Sequence, residues 1–359
     1  MYSQDAALLT VSGVKVVRLG FLSHDGVSQI KALMWTPAEG GNTTPKAIIH
    51  IAHGMEEYIG RYVGFANYLA SLGFVVCAAD MVGHGASVAD STSLGCIPLE
   101  GSARESSLPG SSLPESSARK DSARKSDIRK SGATILVEDI HELRKIVAMR
   151  FSQRTPYLVF GHSMGSFIMR EYVAAHGEGI TGAILCGSGQ QPLLLSKVGG
   201  FLAKRIAKAK GENYKSSFLE GLGAGAYAKK IKNARTPYDW ICTDETVVDA
   251  YAADPLCGVP FSAGGYVALT NLTAKIATKT NAAKVPKGLP VLFVAGANDP
   301  VGNNGVGVQK AAALLRRAGL KRVDVVLYEG MRHEILNEPE KMKVYADILQ
   351  WIDSILGAS

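Results

Sequence analysis

The chain has 359 residues, longer than one average domain and suited to one open α/β core carrying an insertion. Its 47% hydrophobic and 20% charged residues are ordinary for a large buried core, and no apolar run approaches the ~18 residues of a membrane-spanning helix. The formal charge of +7 is concentrated: residues 197–235 hold ten Lys/Arg against Glu212 and Glu220, and 101–132 hold seven basic against four acidic side chains, so the remainder is acidic. No nucleic-acid motif accompanies this excess, which points to an anionic interface or substrate instead.

In chain order, Val14–Leu22 and Gln29–Trp35 read as two strands joined by a turn at His24-Asp25-Gly26. Ala47–Ala52 reads as a buried strand, Arg61–Leu72 as a helix stopped by Gly73, and Phe74–Ala79 as another buried strand. Leu136, Ile140, Leu143, Val147 and Phe151 share one face of a helix over Ile135–Phe151. Strands follow at Tyr157–Phe160, Gly182–Cys186, Pro290–Ala295 and Arg322–Tyr328, with helices at Met164–Ala175, Val306–Ala318 and Glu338–Leu356. Strands alternating with helices predict an α/β fold with a mainly parallel sheet covered on both faces.

Two segments break the alternation. Residues 101–132 hold ten serines and repeat short units such as Ser102-Ala103-Arg104 and Ser117-Ala118-Arg119, a low-complexity insert expected to be a mobile loop. Residues 190–285 lie between two core strands without a clear strand and are expected to form a cap or lid. The division expected is therefore a core over 1–189, a cap over 190–285 and the rest of the core over 286–359. Five cysteines (Cys77, Cys96, Cys186, Cys242, Cys257) show no CxxC or metal-type spacing, which fits a reducing compartment. With no basic, apolar leader after Met1-Tyr2-Ser3-Gln4-Asp5, the expected location is the cytoplasm.

The sharpest chemical signal is Gly161-His162-Ser163-Met164-Gly165, a G-x-S-x-G between a strand and a helix. A nucleophile on so tight a turn needs strained backbone angles and room on both sides, which the flanking glycines leave. A surface serine in a Gly-rich turn would not need that context. Serine requires a base, and in this fold the acid and then the histidine follow it. After Ser163 only His176 and His333 remain, and His176 ends the helix that starts at the turn, roughly 20 Å away. His333 lies just past the strand ending at Tyr328. Among the carboxylates, Asp299 sits past the C-terminal end of its strand, whereas Asp324 sits at the opposite edge and Asp239, Asp244, Asp249 and Asp254 lie in the cap. Two backbone N–H groups are needed for the oxyanion, one from Met164 and one from Met55 in the loop His53-Gly54-Met55-Glu56. His84 and His53 read as histidines that order their loops.

At these residues the chain resembles the monoacylglycerol lipase and lysophospholipase branch of the α/β-hydrolases, grouped with serine aminopeptidase-like hydrolases. The resemblance rests on His53-Gly54-Met55-Glu56-Glu57 with Gly60-Arg61-Tyr62, Asp80 with Gly83-His84-Gly85, the Ser163 motif, Gly296 with Asp299-Pro300-Val301, and Gly330-Met331-Arg332-His333-Glu334. It implies an α/β-hydrolase fold, a triad of Ser163, Asp299 and His333, an oxyanion hole at Met55 and Met164, no cofactor or metal, and an acyl-ester substrate under a cap. The insert after Gly85 is outside the family pattern.

The expected reaction is acyl transfer to water through an ester on Ser163, with monoacylglycerol or lysophospholipid-type esters as first substrates. An acyltransferase, or an aminopeptidase-like hydrolase, would use the same three side chains. Val198, Phe201, Leu202 and Ile206 interleave with Lys197, Lys204, Arg205 and Lys208, a pattern suited to peripheral contact with an anionic membrane surface. The plainer reading, a solvated helix packing its apolar side on the core, weighs more. Oligomeric state is not legible.

Overall fold

The computed structural model describes residues 13–38, 44–101 and 129–357. The serine-rich insert therefore lies almost wholly outside the described residues. Strands β1 (Val14–Leu22) and β2 (Gln29–Pro37) form an antiparallel hairpin. At its turn, the Asp25 carboxylate accepts the N–H groups of Val27 and Ser28, both at 2.7 Å, while Gly26 takes φ +82°. Strand β3 (Ile48–Ala52) is buried throughout and leads to helix α1 (Val63–Ser71), which ends at Gly73, φ +95°. Strand β4 (Val75–Ala79) follows. Helix α2 (Gly132–Ala148) starts three residues before the first predicted apolar position because the Ser131 hydroxyl accepts the Thr134 N–H and caps it.

Strand β5 (Tyr157–His162), helix α3 (Met164–His176) and strand β6 (Gly182–Cys186) come next. Between β6 and the next strand the chain runs through α4 (Leu193–Lys210), α5 (Ser217–Leu222), α6 (Ala224–Ala228), α7 (Glu245–Ala253), α8 (Ala263–Ile276) and α9 (Lys279–Ala282). Strand β7 (Val291–Gly296), helix α10 (Val306–Arg317), strand β8 (Val323–Tyr328) and helix α11 (Lys341–Leu356) complete the described elements.

The strands form one sheet in the order β1-β2-β4-β3-β5-β6-β7-β8. The pairs β1–β2 and β2–β4 are antiparallel and all other neighbours parallel. Side chains alternate faces along a strand, so a sheet covered on both sides is apolar at nearly every position, and the exception in β3, His50, is paired with Tyr157 Oη at 3.0 Å. In β5, Tyr157 and Val159 join the core formed with α2, α3 and α10, while Leu158 and Phe160 join Phe65 and Leu69 of α1 and Ile348 and Ile352 of α11. The fold is the α/β-hydrolase fold. Among the described residues, no helix is long and apolar enough to cross a membrane.

Helix α4 corrects one expectation. Its large apolar residues divide: Leu194 is 73% and Phe201 62% exposed, whereas Leu202 is half-buried and Ile206 packs against the core. Ser196, Gly200, Ala203 and Ala207 form the buried face instead, laid against α8. The approach is close enough that a Cβ on Gly200 would meet Thr270 Oγ1 at 2.9 Å. Small residues let two helix backbones come together, and Leu194, Leu195, Val198 and Phe201 are left pointing out.

Candidate active site

Ser163 forms the junction between β5 and α3 with φ +52° and ψ −119°, a left-handed conformation that ordinary residues avoid. The turn is fixed from below, since the Ser163 N–H donates to Cys186 O of β6 at 2.9 Å. Both flanking glycines are obligatory on steric grounds. A Cβ on Gly161 would sit 2.4 Å from Gly165 O, and one on Gly165 would sit 2.2 Å from Ala52 O. The sharp bend lets the hydroxyl project beyond the C-terminal edge of the sheet.

His333 and Asp299 follow β8 and β7 at the same edge. Asp299 is fully buried; its Oδ2 lies 2.9 Å from His333 Nδ1 and its Oδ1 accepts the Val301 N–H at 2.8 Å. The carboxylate thus fixes the ring with its Nε2 directed away from Asp299. Gly187 makes room, because a Cβ there would meet the ring at 3.0 Å. The Trp240 ring covers the imidazole, with centroids 5.1 Å apart. Ser163 and His333 line one cavity, together with Gly54, Met55 and Met164.

The competing groups have other partners. His176 binds Glu138 at 2.9 Å. Asp324 binds Arg322 and Trp351, Asp239 closes a turn with Thr236, Asp244 caps α7, Asp249 meets Arg235 and Asp254 accepts from Tyr58. His53 accepts the Met81 N–H through Nε2 at 3.0 Å, and His84 Nδ1 donates to Val82 O at 2.9 Å, so both histidines order loops. Among the described residues, no group of three or more His, Cys, Asp and Glu side chains is arranged to hold a metal ion.

The loop His53–Glu57 lies against the nucleophile: a Cβ on Gly54 would meet Ser163 Cβ at 3.2 Å. Met164 opens α3, where the first N–H groups of a helix have no partner within it. Sequence reasoning missed what holds this loop. Glu57 is buried and accepts from Gly54 N–H, from Tyr62 Oη at 2.6 Å and from His162 Nδ1 at 3.1 Å. Its other oxygen faces Arg61, whose guanidinium also binds Glu334, the neighbour of His333. Burial pushes the Glu57 carboxyl up, but the hydrogen bond and charge of His162, followed by Arg61, outweigh it and hold Glu57 at about 2. Burial pulls His162 down, and the Glu57 contact wins there too, raising it. His162 Nε2 then donates to His333 O at 3.3 Å. A buried ion pair thus stands directly behind the serine and the imidazole. Glu57 and Arg61 stand four residues apart, but nothing in sequence links them to His162 or Glu334.

The sequence profile of the serine aminopeptidase (S33) family, Hydrolase_4, matches residues 43–101 and 122–340. The monoacylglycerol lipase of Mycolicibacterium smegmatis is 26% identical over 93% of this chain and 97% of that protein. The human monoglyceride lipase is 24% identical over 86% and 83%. A thermostable carboxyl esterase from Bacillus coagulans, solved with glycerol, superposes with a TM-score of 0.79 and 31% identity, covering 95% of this chain and 99% of that one. The chain belongs to the serine aminopeptidase S33 (Hydrolase_4) family of α/β-hydrolases, in a branch that is monoacylglycerol lipase-like.

Proposed function

We propose that this chain is a serine hydrolase that cleaves monoacylglycerol or lysophospholipid-type esters through an acyl-enzyme on Ser163. It is a carboxylic ester hydrolase, as are the relatives named for lipase and esterase activity. The observation that carries the mechanism is a strained Ser163 sharing one cavity with His333, whose ring is oriented by buried Asp299.

Ser163 Oγ attacks the ester carbonyl while His333 Nε2 takes its proton. Asp299 keeps Nδ1 protonated and stabilises the imidazolium. The N–H groups of Met55 and Met164 receive the developing oxyanion. Collapse expels the alcohol with the proton from His333. A water activated by the same imidazole then releases the acid.

In this reading, residues 190–285 are the cap over a core of 1–189 and 286–359. The cavity above Ser163 has about 50 Å³, and Ala224, Tyr227, Trp240, Ile241, Tyr251 and Leu269 close it from the cap side. Ligand sites of this kind usually offer about 300–1,000 Å³. Substrate entry therefore displaces part of the cap. The test is a series of p-nitrophenyl esters of increasing chain length, followed by a monoacylglycerol and a lysophospholipid. Rates should rise from acetate to long chains; activity confined to acetate and butyrate would remove the lipid assignment.

The membrane reading gains from the outward face of α4. Leu194, Leu195, Val198 and Phe201, with Phe218 and Leu222 of α5, stand exposed beside Lys197, Lys204, Arg205, Lys208 and Lys210. A bulky apolar strip flanked by cations fits the surface of an anionic bilayer. Co-sedimentation with phosphatidylserine-containing vesicles should be strong at low salt and fall at 0.5 M salt, because the screening length there is only about 4 Å. Phe201→Ser should weaken it further. Absence of binding, or binding indifferent to salt, overturns the docking. All five cysteines are free thiols, in keeping with a cytoplasmic, peripheral enzyme.

A further inference from the structure

Residues 239–243 lie within the cap by sequence, yet their bonds go to the loop that carries His333. The Arg332 guanidinium donates to Asp239 O and, at 3.0 Å, to Cys242 O. The Glu334 N–H donates to Ile241 O at 2.6 Å. The Thr243 N–H donates to the Glu338 carboxylate at 3.1 Å, and that carboxylate also accepts the Arg332 N–H at 2.7 Å. Residues on both sides of His333 thus grip residues on both sides of Trp240.

What this clamp places is the indole. The Trp240 ring lies against the imidazole with centroids 5.1 Å apart and planes at 39°, and Tyr227 of α6 packs on it at 5.1 Å. Trp240 is 9% and His333 2% exposed, so water is largely kept from the contact. A cation within about 6 Å of an indole face is attracted by the negative face of the ring, most strongly when both are desolvated. His333 becomes such a cation in both halves of the reaction, when it takes the proton of Ser163 Oγ and again when it takes that of the attacking water. Asp299 meets that charge at Nδ1, and the indole adds a neutral π surface beside the ring. Apolar contact alone would be met by any large aliphatic side chain, whereas tryptophan offers a cation the best aromatic face.

We propose that Trp240 is a positioning residue for His333. Held against the ring by Arg332, its indole stabilises the imidazolium that forms as the proton passes from Ser163 Oγ to His333 Nε2. This rests on the ester-hydrolase reading of the same site and adds to it a group supplied by the cap.

The experiment measures kcat and KM for p-nitrophenyl acetate, butyrate and octanoate. Trp240→Leu, apolar but without a π face, should lower kcat about tenfold on all three esters with KM unchanged. Trp240→Phe should recover most of the rate. Arg332→Met should show the same loss, because the clamp that places the indole is gone. Its double variant with Trp240→Leu should be no slower than Trp240→Leu alone. Arg332→Lys keeps the charge without the two-pronged grip and should fall between wild type and Arg332→Met. Thermal unfolding of each variant verifies the fold. A loss confined to KM, or one that grows from acetate to octanoate, would make Trp240 a wall for the acyl chain and overturn this inference alone. So would Trp240→Phe no faster than Trp240→Leu, or losses that multiply in the double variant. A wild type that cleaves none of the three esters overturns the underlying reading as well.

Discussion

Ser163→Ala is expected to lower ester hydrolysis by about 10⁴-fold or more, as removal of an activated nucleophile does when three side chains act as a unit. The fold should survive. Alanine meets the same left-handed backbone at residue 163 as serine does, and the N–H bond to Cys186 O is untouched by the side chain. Labelling by a fluorophosphonate should vanish with activity. The unit itself is tested by His333→Ala: the double variant with Ser163→Ala should be no slower than either single one, since neither residue works without the other. Retained turnover in Ser163→Ala, or losses that multiply in the double variant, would remove Ser163 from the mechanism. Ser163→Gly makes a separate point. It should be equally inactive yet more stable than wild type by roughly 1 kcal/mol, because glycine accepts φ +52° without strain. A nucleophile held at the expense of stability is what distinguishes this turn from an ordinary glycine-rich one.

Much of this geometry is legible before any coordinates. Fully apolar runs such as Val75–Ala79 and Gly182–Cys186 have no polar face to give water, so they must be buried on both sides of the sheet. Once the strands are placed, Ser163, Asp299 and His333 all fall just past C-terminal strand ends, and direction along the strand excludes Asp324. What escapes is whatever depends on who packs against whom. Periodicity finds an apolar stripe on α4 but does not say which side faces in; the answer was set by Gly200 and Ala203 fitting close to α8. Trp240 over His333 is equally invisible, because nothing local in the Gly- and Lys-rich cap ties it to a loop 93 residues away. The Glu57–His162 pair is a subtler miss. Both residues lie inside motifs the sequence makes prominent, yet those motifs point to the serine and the backbone donors, and nothing in them says that residues 57 and 162 meet.

That pair carries the second large expectation. Glu57→Gln should destabilise the protein by about 3–5 kcal/mol, the usual consequence of leaving one member of a buried ion pair uncompensated. It should also slow catalysis, since the Glu57 carboxylate holds Gly54 N–H and with it the loop bearing Met55. The pH dependence gives the discriminating signature. Glu57 is held at about 2 against an ordinary 4.5, so its contribution is complete above pH 4.5 and is lost as pH falls towards 2. His162 is raised above its ordinary 6.5, so its contribution is complete below pH 6.5 and is lost as pH climbs through its raised value. The two limbs leave greatest stability from this pair between pH 4.5 and 6.5. Denaturant unfolding of wild type and Glu57→Gln across pH 4 to 9 should give a difference that is widest in that window and narrows on the alkaline side as His162 loses its proton. Curves that run parallel across the range would mean that Glu57 acts only by shape, and that the charge behind Ser163 has no part in holding the site together.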